Sequence, residues 1–168
     1  KAPARDTTQA ATVLSKQGAA LFEKIGCATC HTESMTTAPA GTVINGGTFT
    51  IPAALGSITF HPYGDFLMHD VGTGDGILQA IPEHYGKKVF RMMSTYMTKQ
   101  NFEGSRNKIR TAPLWGVRLR PRLMHDGASL TFRDAIARHA GEARHVTMQF
   151  EKLKSGDQEA IIEFLKSL

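Results

Sequence analysis

The five residues Cys27-Ala28-Thr29-Cys30-His31 decide how the rest of this 168-residue chain is read. They contain both of its cysteines. Two cysteines cannot build a disulfide framework. They cannot make a structural zinc site alone, since that takes four ligands and usually a second Cys/His pair. A thioredoxin-like redox pair would follow a strand in a βαβ pattern; here a helical stretch precedes the cysteines and no such pattern follows. What remains is the Cys-x-x-Cys-His signature of covalent c-type haem attachment. Each thiol can add to a haem vinyl group and form a thioether. The two intervening residues let both sulfurs reach one edge of the macrocycle, and His31 turns its imidazole to the iron as proximal ligand. Small Ala28 and Thr29 leave room for the haem edge. The reading is one haem c, joined through Cys27 and Cys30, whose flat apolar surface serves as core for a chain with only 8% aromatic residues.

Upstream, residues 7–25 read as one helix. Leu14, Gly18, Leu21, Phe22 and Ile25 share a helical face, and Gly26 is the stop signal. At the other end, residues 155–168 read as a helix with Ala160, Ile161, Phe164, Leu165 and Leu168 on one face, Ser155 and Gln158 resembling a capping box. Terminal helices flanking a haem motif predict a mainly α, cytochrome c-like fold in which the two cross, Gly18 letting Phe164 approach the first helix. A third helix is predicted over residues 131–140, capped by Thr131 with Asp134 in its first turn and stopped by Gly141. Phe132, Ala135, Ile136 and His139 fall on its apolar face.

Residues 32–110 are rich in Gly, Thr and Pro and poor in pattern, with short helices indicated at about 76–82 and 86–98. So long an irregular stretch suits a segment that wraps a cofactor. The organisation expected is a single monohaem cytochrome c domain over residues 1–168, with residues 1–6 a flexible start and 32–110 a long loop-rich insertion.

Composition agrees with one globular domain. Hydrophobic residues make up 41% and charged residues 21%, which excludes collagen, disordered tails and coiled coils. No apolar stretch reaches the roughly 18–20 residues of a membrane helix. The opening KAPARDTTQAATV has no apolar segment of the signal-peptide kind. Covalent haem attachment happens outside the bacterial inner membrane, so a periplasmic or otherwise extracytoplasmic location is expected. Residues 87–122 hold ten Lys and Arg (Lys87, Lys88, Arg91, Lys99, Arg106, Lys108, Arg110, Arg118, Arg120, Arg122) against Glu103 alone. Such a block suits an acidic redox partner or a neighbouring redox domain, or the anionic groups of a cofactor. No nucleic-acid-binding motif accompanies it.

The position opposite His31 decides the function. Two strong ligands make a six-coordinate iron for electron transfer, and an open position allows ligand binding or peroxide chemistry. The candidates are His61, His69, His84, His125, His139, His145 and the methionines. His139, closing an apolar helical stripe, is favoured because a buried imidazole needs a partner. Met68 and Met124 are the alternatives, methionine being a common cytochrome c ligand.

Residues 110–142, RTAPLWGVRLRPRLMHDGASLTFRDAIARHAGE, resemble the C-terminal part of the bacterial dihaem cytochrome c peroxidase superfamily, which carries its electron-transfer haem. The closer likeness is to the dihaem thiol-oxidoreductase-like branch. It rests on Thr111-Ala112-Pro113-Leu114-Trp115-Gly116, Met124-His125-Asp126-Gly127, Asp134-Ala135-Ile136 and His139-Ala140-Gly141-Glu142-Ala143. Upstream, HPYGDFLMHDVG (residues 61–72) is similar too, Gly64 and Val71 departing from the branch's pattern. In the peroxidases the distal ligand of that haem lies fourteen positions past the histidine of His-Asp-Gly, a place held here by His139. The resemblance therefore implies bis-histidine, low-spin iron. It also implies that His125 and His69 support the haem pocket or its propionates, that Trp115 packs at the cofactor, and that Arg110, Arg118, Arg120 or Arg122 pair with propionates.

Members of that superfamily carry two haem motifs; this sequence has one. An electron-transfer cytochrome, free or as a module of a larger redox protein, is thus the first reading. The second is a haem enzyme of the peroxidase or thiol-oxidoreductase type, with an open or releasable sixth ligand and His61, His69 or His84 as acid/base groups. Asp70 and Asp75 do not have EF-hand spacing and read as part of a Gly-rich turn.

Overall fold

The computed structural model describes residues 3–74 and 106–168. Their regular structure is mainly α, as expected: α1 (Thr7–Ala11), α2 (Val13–Lys24), α3 (Phe132–Ala137), α4 (Arg144–Lys152) and α5 (Ser155–Leu165). Strands of two or three residues form three antiparallel pairs. They are β1 (Met35–Thr36) with β4 (Thr59–Phe60), β2 (Val43–Ile44) with β3 (Phe49–Thr50), and β5 (Met68–Asp70) with β6 (Lys108–Arg110). The helices indicated at 76–82 and 86–98 lie outside the described residues. So do Asp75, His84 and the basic residues Lys87, Lys88, Arg91 and Lys99. Among the described residues no helix is long and apolar enough to cross a membrane.

The chain divides into two compact units. One comprises Lys1–Phe66, Ala112–Arg120 and Glu159–Leu168; the other comprises Leu67–Thr111 and Pro121–Gln158. In the first unit the core is Phe22, Tyr63, Val117, Ile161, Phe164, Leu165 and Leu168, each under 10% exposed. The predicted single helix over 7–25 is two helices. Thr12 breaks it with an extended backbone (φ −63°, ψ 149°), because its hydroxyl accepts from Ser15 N–H and caps α2 while Asp6 caps α1. The face of α2 that turns inward is Ser15, Gly18 and Phe22; Leu14, read as part of the stripe, is 38% exposed. Within residues 1–6, read as a flexible start, Arg5 and Asp6 bond to the C-terminal segment. Asp6 N–H donates to the Ser167 carbonyl at 2.9 Å, and Arg5 to the Ser167 hydroxyl.

Gly18 is the point where α2 and α5 meet. A Cβ there would lie 1.8 Å from the Ala160 carbonyl oxygen and 2.9 Å from Phe164 Cβ, so only a hydrogen fits. The Phe164 ring then reaches both Phe22 (centroids 5.2 Å apart) and Tyr63 (5.7 Å, edge-on).

In the second unit, α3 starts as predicted, Thr131 Oγ1 accepting from Asp134 N–H at 3.1 Å. It ends at Ala137, however, so His139 stands beyond the helix and not at the end of its stripe. The unpredicted α4 packs its Thr147 and Phe150 inward. The Gln158 carboxamide donates to the Phe150 carbonyl at the end of α4 and accepts from Arg133, so no capping box with Ser155 forms.

Gly18→Ala should destabilise the chain by roughly 2–3 kcal/mol through overpacking, although alanine is the better helix former by about 1 kcal/mol. Denaturant unfolding checks this; a neutral or stabilising substitution would show that the two helices do not need their close approach.

Candidate haem site

Gly26, in the left-handed region at φ +101°, ends α2 and starts the 3₁₀ turn Cys27–Thr29. His31 follows, its N–H donating to the Cys27 carbonyl at 3.0 Å. The attachment motif is thus wound into one tight turn directly after a helix packed into the core. Cys27 and Cys30 form no disulfide. Burial pushes the Cys27 thiol up to about 12, and the neighbouring Cys30 adds to it. This is the reverse of the lowered pKa that a disulfide-exchanging Cys-x-x-Cys pair needs.

The His31 ring is oriented by its Nδ1, which lies 3.0 Å from the Tyr63 carbonyl oxygen. A carbonyl only accepts, so Nδ1 carries the proton and the ring's lone pair is at Nε2. This is the arrangement by which proteins orient an imidazole toward a metal. Tyr63 itself takes a left-handed backbone (φ +50°), which costs roughly 1–2 kcal/mol for a residue with a side chain. Its side chain is held on several sides. The ring packs on Phe164, the Arg5 guanidinium lies 6.0 Å from its centre and 3.3 Å from its hydroxyl, and the hydroxyl donates to Glu33 at 3.1 Å. Burial and the Glu33 carboxylate keep the phenol protonated, raising its pKa to about 12 against the pull of Arg5. Tyr63, Arg5 and Glu33, with His61, Trp115, Phe60, Pro3 and Leu168, line a cavity of about 360 Å³ that does not include Cys27, Cys30 or His31 among its walls.

His139, in the second unit, is half-buried and oriented in the same way. Its Nδ1 is 2.7 Å from the Ala135 carbonyl, which again leaves the lone pair at Nε2. Its own carbonyl accepts from Thr147 Oγ1 at 2.7 Å, and the neighbouring Arg138 donates to Asp126 and to Ser129 Oγ. The donor set therefore suits a haem c: two thiols outside any disulfide in one turn, with two imidazoles in the chain whose Nδ1 protons are fixed on backbone carbonyls.

The remaining predicted residues fall as follows. Trp115 packs against Phe60 and Phe66 in the first unit, centroids 6.1 and 6.3 Å away. Arg118 donates to the Leu168 and Ala4 carbonyls, both at 2.8 Å, and Arg120 is exposed. In the second unit Arg110 is exposed on β6, paired in register with Met68, and Arg122 donates to the Gly127 carbonyl. Met124 has a left-handed backbone (φ +64°), and His125 is exposed. His69 pairs with Glu142 at 3.0 Å. Sequence reasoning missed Tyr63 and assigned no role to Asp126 or Glu142, although all three stand inside the quoted motifs.

The family described as "Di-haem oxidoreductase, putative peroxidase" matches residues 1–168. Among solved structures, the fold is similar to a chain of Kuenenia stuttgartiensis hydrazine synthase, determined under 20 bar xenon. The TM-score is 0.54 at 22% identity, over 99% of this chain and 50% of that one. The chain thus spans about half the length of that neighbour. No curated protein matches it.

Hydrogen bonds from Arg138 and from the Ala128 N–H hold the Asp126 carboxyl well below the usual carboxylate range, at about 2. A lowered folded-state value contributes stability that is full above the unfolded value and lost as pH falls through the folded one. The chain should therefore lose stability between about pH 4 and pH 2, and Asp126→Asn should flatten that dependence. Parallel acid-unfolding curves for parent and variant would refute the assignment.

Proposed function

Since the chain belongs to the di-haem oxidoreductase family, whose members are haem redox proteins, we propose that it carries electrons through one haem c that Cys27 and Cys30 would tether and His31 and His139 would ligate. A haem bound there supplies one-electron Fe(III)/Fe(II) chemistry. The observation that carries the proposal is the common state of the two imidazoles, each with Nδ1–H on a backbone carbonyl and its lone pair at Nε2. Rings held in this way keep their direction. Two imidazole ligands would suit the iron to electron transfer rather than to binding substrate.

Arg110, Arg118 and Arg120 are the arginines proposed to pair with propionates; the Arg118 guanidinium also donates to two main-chain carbonyls. The basic residues of 87–122 favour an acidic redox partner or neighbouring redox domain, with an encounter that weakens as salt rises. Covalent haem implies an extracytoplasmic location. The family's description favours a second reading, oxidoreductase chemistry at an iron that gives up its sixth ligand.

Visible and EPR spectra separate the two. The oxidised chain should be low-spin and six-coordinate. His139→Gly should turn it high-spin and open it to cyanide and added imidazole. High-spin iron in the parent at neutral pH, with peroxide turnover, would establish the second reading; an unchanged spectrum in His139→Gly would remove His139 from the iron.

A further inference from the structure

His139 stands outside α3, tied to it by its N–H on the Ile136 carbonyl at 3.1 Å, and a 3₁₀ turn follows at Gly141–Ala143; tertiary contacts must set how this loop lies. Arg138 and Thr147 hold the loop on one side. On the other side, residues 139–142 lie directly against β5 and the residues that follow it. Ala140 N–H donates to the Val71 carbonyl at 2.9 Å. Gly141 sits at φ +52°, where a Cβ would be 2.4 Å from the Asp70 carbonyl oxygen. Gly72, at φ +75°, would bring a Cβ within 2.6 Å of Ala140 Cβ.

Glu142 closes this contact. One carboxylate oxygen accepts from Asp70 N–H at 3.2 Å and lies 3.4 Å from Lys108 Nζ; the other lies 3.0 Å from His69 Nδ1. A single side chain therefore joins the loop to both strands of the β5–β6 pair. We propose that Glu142 is the positioning residue of His139: its carboxylate staples the 139–142 loop to β5–β6, and without the staple the imidazole leaves the iron. The inference rests on His139 being a ligand. Glu142 is 46% exposed, a setting in which ion pairs add little to stability. Its contribution is then geometric, and its loss should appear at the iron more than in the unfolding transition.

The test uses the full chain with its covalent haem in four variants: Glu142→Ala, Glu142→Gln, Gly141→Ala and His139→Gly. In folded, oxidised Glu142→Ala a high-spin fraction should appear and cyanide should bind roughly ten- to a hundredfold faster than in the parent, the usual penalty for losing an outer-shell partner. Thermal unfolding followed by far-UV circular dichroism should change little. Glu142→Gln keeps an acceptor for Asp70 N–H and should fall between. Gly141→Ala leaves the carboxylate in place but pushes the loop off β5, and should reproduce the Glu142→Ala spectrum. If Glu142→Ala and Gly141→Ala stay low-spin with parental cyanide rates while His139→Gly turns high-spin, the staple is refuted and the ligand stands. If His139→Gly itself leaves the spectrum unchanged, ligand and staple fall together.

Discussion

A hydrogen bond from one imidazole nitrogen to one backbone carbonyl orders the first unit. His31 Nδ1 and the Tyr63 oxygen are 3.0 Å apart, and this contact fixes where the motif histidine points. The carbonyl is in place only because Tyr63 accepts a left-handed backbone, and that conformation persists because its ring and hydroxyl are gripped by Phe164, Arg5 and Glu33. Phe164 in turn reaches Tyr63 because Gly18 lets α5 lie against α2. Helix packing, strain and ligand orientation form one chain of dependence running from a missing Cβ to a ring nitrogen.

The second unit solves the same problem with different parts. There the carbonyl belongs to the helix preceding the histidine, Ala135 to His139, and the effort goes into holding a loop that the helix has released. Arg138 reaches the His-Asp-Gly aspartate, and Glu142 reaches β5. The motifs His-Asp-Gly and His-Ala-Gly-Glu thereby gain a physical reading as anchors on either side of one imidazole. Charged side chains in half-exposed positions are poor sources of stability but good fixers of direction.

The sequence made legible whatever local chemistry dictates. Gly26 announces the end of α2, Thr131 the start of α3, and Gly18 the helix contact, while Cys27, Cys30 and His31 mark the candidate haem site. What it hid depends on partners distant in the chain. The break at Thr12 was masked because Thr12 sits inside an apolar-periodic run, and its hydroxyl caps α2 where the period would have continued through. α4 was masked because Thr147, turned inward to the His139 carbonyl, interrupts its apolar face. Gln158 has the spacing of a capping residue, yet the carbonyls ending α4 offered it better partners. Tyr63 gave no signal, since a left-handed tyrosine is tolerated only when remote side chains hold it.

The claim beneath all of this is that Cys27 and Cys30 hold a haem by thioether bonds. Intact mass of the chain, matured where haem attachment occurs and then denatured in acid, tests it most directly. The account predicts the polypeptide mass plus one haem, with the pigment resisting acid–acetone extraction. A colourless chain of polypeptide mass, or a pigment that extracts freely, would contradict it.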